Sequence, residues 1–317
     1  MELSIIIVNW NSAALVRQCL ASLQSCCPLA STEILVVDSG SFDGCGRMLA
    51  AEFPAVRFLQ CADNIGFARA NNVAARRALG RHLLFLNPDT LLREDSPGRL
   101  SRQLAALPRA GALGCRLLNA DGSVQTSCIQ SFPTVLNQLL DSDWLRRRFP
   151  RSPLWGMAPL HDGSRRPSPV AAISGACLAV DRTAFADVGG FTESYFMYGE
   201  DLDLCRKLHA AGWGVFFTPE TSLVHLGGGC SRQAPGNFSV VMMRSSVHRF
   251  IRIHDGPLAA GAYRIAMGFS AVTRLTLMGP SLLLGDRIVR HGAGSWRKWR
   301  AILRWSAGFH APGLPVS

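Results

Sequence analysis

Four short apolar runs, rich in β-branched residues and ending at polar turns, alternate with amphipathic segments over residues 3–87. No other feature of the sequence restricts its folding as much. "LSIIIVNWN" (3–11), "EILVVDSGSFDG" (33–44), "VRFLQC" (56–61) and "HLLFLN" (82–87) have the length and make-up of buried strands. Between them, residues 12–27 set Leu15, Cys19 and Leu23 on one stripe, with Ser12 as the expected cap, and 45–52 and 66–80 read as further helices. Strand and helix alternating at this spacing predict a parallel sheet with crossovers. Open α/β sheets hold their ligands beyond the carboxyl ends of their strands. "LFLNPDT" (84–90) is therefore the informative stretch: Pro88 ends the strand, and Asp89 stands just past it. Asn, Pro and Asp are also ordinary turn residues, so a plain turn is the competing reading.

Beyond residue 130 the pattern loosens. "RRRFPRSPLWGMAPLHDGSRRPSP" (146–169) is rich in Arg and Pro and reads as a mobile surface loop, either a solvated insertion or a lid. Residues 171–191 predict a strand and a short helix, 198–213 a helix with Leu204 and Leu208 one turn apart, and 215–226 an extended segment. The last quarter differs in charge. Residues 1–239 carry 22 basic and 20 acidic residues, whereas 240–317 carry 11 basic and 2 acidic, most of the chain's net +11. Residues 264–289 are apolar, but Arg274 and Gly279-Pro280 interrupt them, which argues against a membrane span. "WRKWRAILRW" (296–305) interleaves Trp with Arg and Lys. Residues 258–305 are thus expected to lie on an anionic membrane surface, the alternative being an arginine-rich helical pair packed on the rest of the protein. The same interleaving with apolar residues speaks against a nucleic-acid partner.

The 10 cysteines include no Cys-x-x-Cys pair, and the N-terminus carries no signal-peptide pattern. Reduced, mostly buried thiols and a cytoplasmic location, peripheral to the inner face of a bacterial membrane, are expected.

Taken in order, "SIIIVNWN", "VVDSGSFDG", "NIGFARANN" (64–72), "LFLNPDT", "GACLAVDRTAF", "GGFTESYFMYGEDLDLCRKLHAAGW" and "HLGGG" (225–229) resemble the family 2 glycosyltransferases of the GT-A fold. The likeness covers roughly residues 3–230 and is greatest to the bacterial rhamnosyltransferase-like branch. It implies an α/β fold with a mostly parallel sheet flanked by helices. It also implies a catalytic domain over 1–239, with a nucleotide-binding half at 1–115 and an acceptor half at 116–239, followed by a helical extension at 240–317.

The resemblance assigns roles. Asp38 would meet the pyrimidine base with Asn9 beside it, although Asp38 also suits an Asx turn. Asn64, Gly66, Arg69 and Asn72 would face the anionic donor at a helix N-terminus, with helix capping the plain role for Asn64. "NPD" stands where the family carries Asp-x-Asp, so Asp89 would be the retained ligand of Mg2+ or Mn2+, and Asn87 would hold the ion or the sugar. His225 would be a second metal ligand. Asp201, beside Glu200, would be the general base of an inverting transfer, although acidic residues also suit the first turn of a helix. Gly189, Gly190 and Phe191 would shape the acceptor side.

The implied reaction moves a sugar, L-rhamnose from dTDP-rhamnose or another UDP- or dTDP-hexose, to a lipid-linked or polysaccharide hydroxyl. A sugar nucleotidyltransferase would want a Gly-rich phosphate loop after the first strand, which "VNWNSAAL" lacks. A non-catalytic glycan- or membrane-binding relative would not need Asp89, Asp201 and His225.

Overall fold

A computed structural model describes residues 1–28, 30–227, 237–278 and 286–309. The chain divides into two compact units. One comprises 1–132, 149–196 and 200–233, the other 133–148, 197–199 and 234–317.

The first unit starts with the expected alternation: β1 (Leu3–Asn9), α1 (Ala13–Cys26), β2 (Thr32–Ser39), α2 (Cys45–Glu52), β3 (Arg57–Cys61), α3 (Phe67–Ala75) and β4 (His82–Leu86). Ile5, Ile6, Ile7, Val36, Val37 and Leu83 to Leu86 are buried, which is why these strands read as unbroken apolar runs. β1 pairs in parallel with β2 on one side and β4 on the other, and β2 with β3. Helix α3 stops at Ala75, short of the predicted residue 80.

The chain continues through β5 (Thr90–Leu91), α4 (Ser96–Ala106), β6 (Ala110–Leu118) and β7 (Ile129–Gln130). In the second unit lie α5 (Val135–Leu139) and α6 (Asp143–Arg148). Back in the first come β8 (Ser168–Pro169), β9 (Ala172–Ile173), β10 (Cys177–Asp181), α7 (Arg182–Asp187), α8 (Glu200–Ala210) and β11 (Gly214–His225). The nine-stranded sheet runs β3-β2-β1-β4-β10-β6-β11-β5, with β8 on β11. β10 enters antiparallel between β4 and β6, so the sheet is mixed, with helices flanking it.

The Arg- and Pro-rich segment is not simply solvated. Trp155 and Met157 are buried, and Ser131 bonds to the carbonyls of Trp155 and Leu154 at 3.1 and 2.6 Å. Apolar anchors thus tie down the middle of the predicted surface loop. All nine described cysteines are free thiols.

The second unit ends in α9 (Phe238–His254), α10 (Pro257–Met278) and α11 (Asp286–Ser306). Among the described residues no helix is long and apolar enough to cross a membrane. Trp305 is buried and donates to Ser245 Oγ at 2.8 Å, while Arg264 and Arg274 stack on Trp305 and Trp299. These tryptophans, expected at a membrane surface, are therefore spent on helix packing. On α10 the exposed residues Leu258, Ile265, Phe269 and Val272, at intervals of seven, four and three, form one apolar stripe. Gly279-Pro280 lies outside the described residues.

Candidate active site

Strand pairing brings the first two candidates together. β5 pairs antiparallel with β11, setting Thr90 opposite His225. Asp89, immediately before β5 and only 5% exposed, places Oδ1 3.4 Å from His225 Nε2. Asn87 Nδ2 lies 3.5 Å from the same nitrogen. Thr90 Oγ1 donates to the Asn87 carbonyl at 2.8 Å, and the Leu226 amide to that of Asp89 at 2.9 Å, so the turn is held from both sides. The turn reading of "NPD" is thus formed, and it leaves Asn87 and Asp89 beside His225. The other ring nitrogen of His225, Nδ1, is 2.9 Å from Gln125 Oε1, a contact with no forewarning in the sequence. Of the "HLGGG" stretch, Gly228 and Gly229 lie outside the described residues.

A carboxylate oxygen and an imidazole nitrogen 3.4 Å apart are within reach of one ion, the pair needing to close by only a few tenths of an ångström to take adjacent octahedral positions at about 2.1 Å. Among the described residues no group of three or more His, Cys, Asp or Glu side chains forms a closed cage. An open site of this kind suits Mg2+ or Mn2+, which take few protein ligands and complete their shell with substrate oxygens and water.

Asp201 joins this centre through one turn. Its Oδ2 accepts from the Gly175 amide at 2.9 Å, and its Oδ1 from the Leu202 amide at 2.8 Å. The next carbonyl, that of Ala176, accepts from the Asn87 amide at 3.0 Å. Residues 175–176 thus connect the carboxylate on α8 to the Asn87–Asp89–His225 group.

The three acids opening α8 have different environments. Asp203 is buried, accepts from Thr192 Oγ1 at 2.6 Å and lies 3.5 Å from Lys207 Nζ. Glu200 is 6% exposed, and its Oε2 is buried with no hydrogen-bond partner. Burial, and then the charge of Asp201, push Glu200 up to about 8. Burial also raises Asp201, against the lowering effect of its two amide donors. Near neutral pH Glu200 keeps its proton, whereas the two amide donors on Asp201 favour its charged form, so the two carboxyls have different surroundings.

At the ends of β1 and β2, Asn9 stands opposite Asp38 in register. Asp38, 2% exposed, accepts from Asn9 Nδ2 at 2.8 Å, from the Ser41 amide at 2.7 Å and from Gln60 Nε2 at 2.9 Å. The Asx turn at Asp38 is formed. Asp43, not anticipated from sequence, accepts from Asn9 Nδ2 and from the Ala13 amide at 2.7 Å. It serves the first turn of α1 in place of the expected Ser12, whose hydroxyl donates to Asn9 Oδ1 instead. A cavity of about 670 Å3 runs along the edge strand β3 and touches this group only at Gln60.

Several other expected donor- or acceptor-side residues are used in packing. Asn64 Oδ1 accepts from the Gly66 amide and from Ser39 Oγ, forming an Asx turn ahead of α3 instead of capping it. Gly66 (φ +80°) does allow a close approach, but to the chain itself: a Cβ there would lie 2.7 Å from the Phe196 carbonyl. That carbonyl also takes the Phe67 amide at 2.8 Å, using the first free donor of α3. Arg69 pairs with Glu193 at 3.1 Å on the surface. Asn72 clamps both the amide (3.0 Å) and the carbonyl (2.8 Å) of Phe191. Gly189 and Gly190 make the turn after α7, and a Cβ on Gly190 (φ +70°) would meet Asn72 Oδ1 at 2.8 Å. Phe191, 2% exposed, packs against Phe85 and Phe185. Phe191 is therefore core, while Gly189 is exposed beside it.

Comparison with known proteins adds independent findings. The profile of glycosyl transferase family 2 matches residues 4–165, and that of the N-terminal domain of galactosyltransferase matches 160–226. A Mycobacterium tuberculosis protein described as N-acetylglucosaminyl-diphospho-decaprenol L-rhamnosyltransferase is 33% identical over 241 residues, covering 70% of this chain and 75% of its own. The rhamnosyltransferase WbbL of Escherichia coli is 26% identical over 170 residues, 50% of this chain and 60% of its own. Among solved structures, the mannosyltransferase PcManGT of Pyrobaculum calidifontis, in complex with GDP-Man and Mn2+, aligns at 18% identity with a TM-score of 0.59. The alignment covers 96% of this chain and 86% of that one. GalNAc-T7 with UDP, GalNAc and Mn2+ gives the same score at 15% identity, covering 98% of this chain and 58% of that one.

Proposed function

The chain belongs to glycosyl transferase family 2, and on that premise we propose that it is an inverting, metal-assisted transferase that moves L-rhamnose from dTDP-rhamnose to a lipid-linked saccharide. That it is a glycosyltransferase follows from the family and from the rhamnosyltransferase relatives; donor, ion and acceptor are our inference. The observation that carries it is the linkage of Asp89, Asn87 and His225 to Asp201 across the turn at 175–176.

In this reading Asp89 and His225 hold the divalent ion, with Asn87 beside them. Bound there, the ion neutralises charge on the departing diphosphate. Asp201 takes the proton from the acceptor hydroxyl as its oxygen forms the new bond to the anomeric carbon and the bond to the nucleoside diphosphate breaks. Gly175 and Leu202 orient that carboxylate, and Glu200 stands beside it holding its proton. Asp38 and Asn9 form a rigid polar floor at the strand ends, where the nucleoside base is expected to lie.

The acceptor is inferred from the mycobacterial relative, whose description names a diphospho-decaprenol substrate. The exposed α10 stripe and the exposed cations Arg297, Lys298 and Arg300 on α11 suit attachment to an anionic membrane surface, where such an acceptor resides.

The test is thermal stabilisation by a panel of nucleotide sugars with and without Mn2+, followed by transfer to a polyprenyl-diphosphate GlcNAc acceptor. Stabilisation by dTDP-rhamnose that depends on Mn2+ is expected. Indifference to every nucleotide sugar would overturn the proposal, and preference for another donor would replace rhamnose.

A further inference from the structure

The turn before β7 carries a hydrogen-bond chain whose direction is fixed at both ends. Ser123 Oγ donates to Asp121 Oδ1 at 2.6 Å, and the Ser123 amide donates to the same oxygen at 2.9 Å. These bonds hold the Asp121 carboxyl below its usual range, so it is an ionised, acceptor-only end. The single hydroxyl proton of Ser123 is thus spent, and its oxygen must accept from Asn119 Nδ2, 2.8 Å away. Asn119 then turns Oδ1 toward Gln125, whose Nε2 donates to it at 2.9 Å. The same Nε2 donates at 2.6 Å to the main-chain carbonyl of His225, a second acceptor-only end. Both protons of the Gln125 amide are used, so the atom 2.9 Å from His225 Nδ1 is the carbonyl oxygen Oε1. An amide oxygen cannot donate, so Nδ1 carries a ring proton, which leaves Nε2 as the nitrogen able to ligate an ion. Nε2 lies 3.4 Å from Asp89 Oδ1 and 3.5 Å from Asn87 Nδ2, so the ring nitrogen left for a metal is the one that faces the proposed ligand Asp89.

We propose that Gln125 is a positioning residue that locks His225 in the Nδ1–H tautomer and so presents Nε2, together with Asp89, as a ligand for the divalent ion. The inference rests on the reading that Asp89 and His225 hold that ion. It adds a residue from a different part of the chain that never touches metal or substrate. Partners of ligating histidines act in this way, and their loss typically weakens metal binding by about 10–100-fold.

The test uses the full chain labelled with 15N-histidine and free of metal, with long-range proton–nitrogen spectra reporting each ring's tautomer. His225→Gln identifies the His225 signals. Wild type is expected to show Nδ1–H at position 225. Gln125→Glu keeps an acceptor against Nδ1 and should keep the tautomer, whereas Gln125→Met removes the acceptor and should yield a mixture or Nε2–H. With dTDP present, Mn2+ affinity read from the free-ion electron paramagnetic resonance signal should fall about 10–100-fold in Gln125→Met and only a few-fold in Gln125→Glu. Nε2–H in wild type overturns the lock without any variant having to fold. Unchanged tautomer and Mn2+ affinity in Gln125→Met overturn it as well. Nδ1–H in a wild type that takes up no Mn2+ would instead sink the metal reading and uphold the lock.

Discussion

Replacing Asp201 by Asn tests the proposed base with the least change of shape. Each Asp201 oxygen accepts one main-chain amide, from Gly175 on one side and Leu202 on the other. Asparagine has one acceptor oxygen, so its NH2 must face one of these N–H groups. An unpaired buried donor costs about 1–3 kcal/mol, and the variant should lose stability of that order. Loss of the base removes about 10²–10⁴ in kcat, or about 3–5 kcal/mol of barrier at 1.36 kcal/mol per tenfold. The two effects separate in a single-turnover assay below the variant's Tm at saturating donor and acceptor, with donor binding measured alongside. Donor affinity should stay near wild type while the transfer rate collapses. The pH profile adds a second reading. Burial raises Asp201, so the acid limb of wild-type activity should lie above the ordinary aspartate range near 3.8, and residual activity of the variant should lack that limb. A folded variant that transfers sugar within about threefold of wild type at pH 7 refutes the assignment.

Glu200→Gln should be stabilising in a pH-dependent way. Because Glu200 is raised from 4.5 to about 8 in the fold, its contribution is fully present below pH 4.5 and is lost as pH rises to about 8. The Tm advantage of the variant should therefore grow across that window and level off above it; a difference independent of pH would contradict the buried-proton reading. Asn72→Ala strands both the amide and the carbonyl of Phe191 and should cost about 2–4 kcal/mol in urea unfolding with donor KM little changed. A raised KM at unchanged stability would return Asn72 to the donor site. Phe269→Asp removes a large exposed side chain from the α10 stripe and should weaken binding to anionic vesicles at least about tenfold, since one such side chain is worth about 1.5–3 kcal/mol when buried. Equal vesicle binding by wild type and variant would detach α10 from the membrane role.

The parts of this protein that were legible in its sequence are those set by local chemistry. β1, β2 and β4 are legible because strands buried on both faces must be continuously apolar, and the polar residues ending them mark the strand ends that hold Asn9, Asp38 and Asn87. The helix α4 carries equally local signals: Asp95 caps it through the Gly98 amide, and Pro97 sits in its first turn. β6, "AGALGCRLL", hid for a different reason, because Ala and Gly carry little strand preference and its burial depends on neighbours that arrive later.

Side-chain amides were the least legible of all. Asn72, Asn64 and Gln125 can each donate and accept, so nothing local selects their partners. The choice falls to whichever backbone the fold delivers, a segment 119 residues away for Asn72 and 100 residues away for Gln125. The acids of α8 show the same rule from the other side. Glu200, Asp201 and Asp203 look alike as a cluster at a helix start, and only tertiary contacts make one a protonated acid, one an oriented carboxylate and one the partner of Lys207. Family likeness could point to the pair at 200 and 201, but the division of labour within it comes from Gly175, which connects it to the strand end where Asn87 and Asp89 stand.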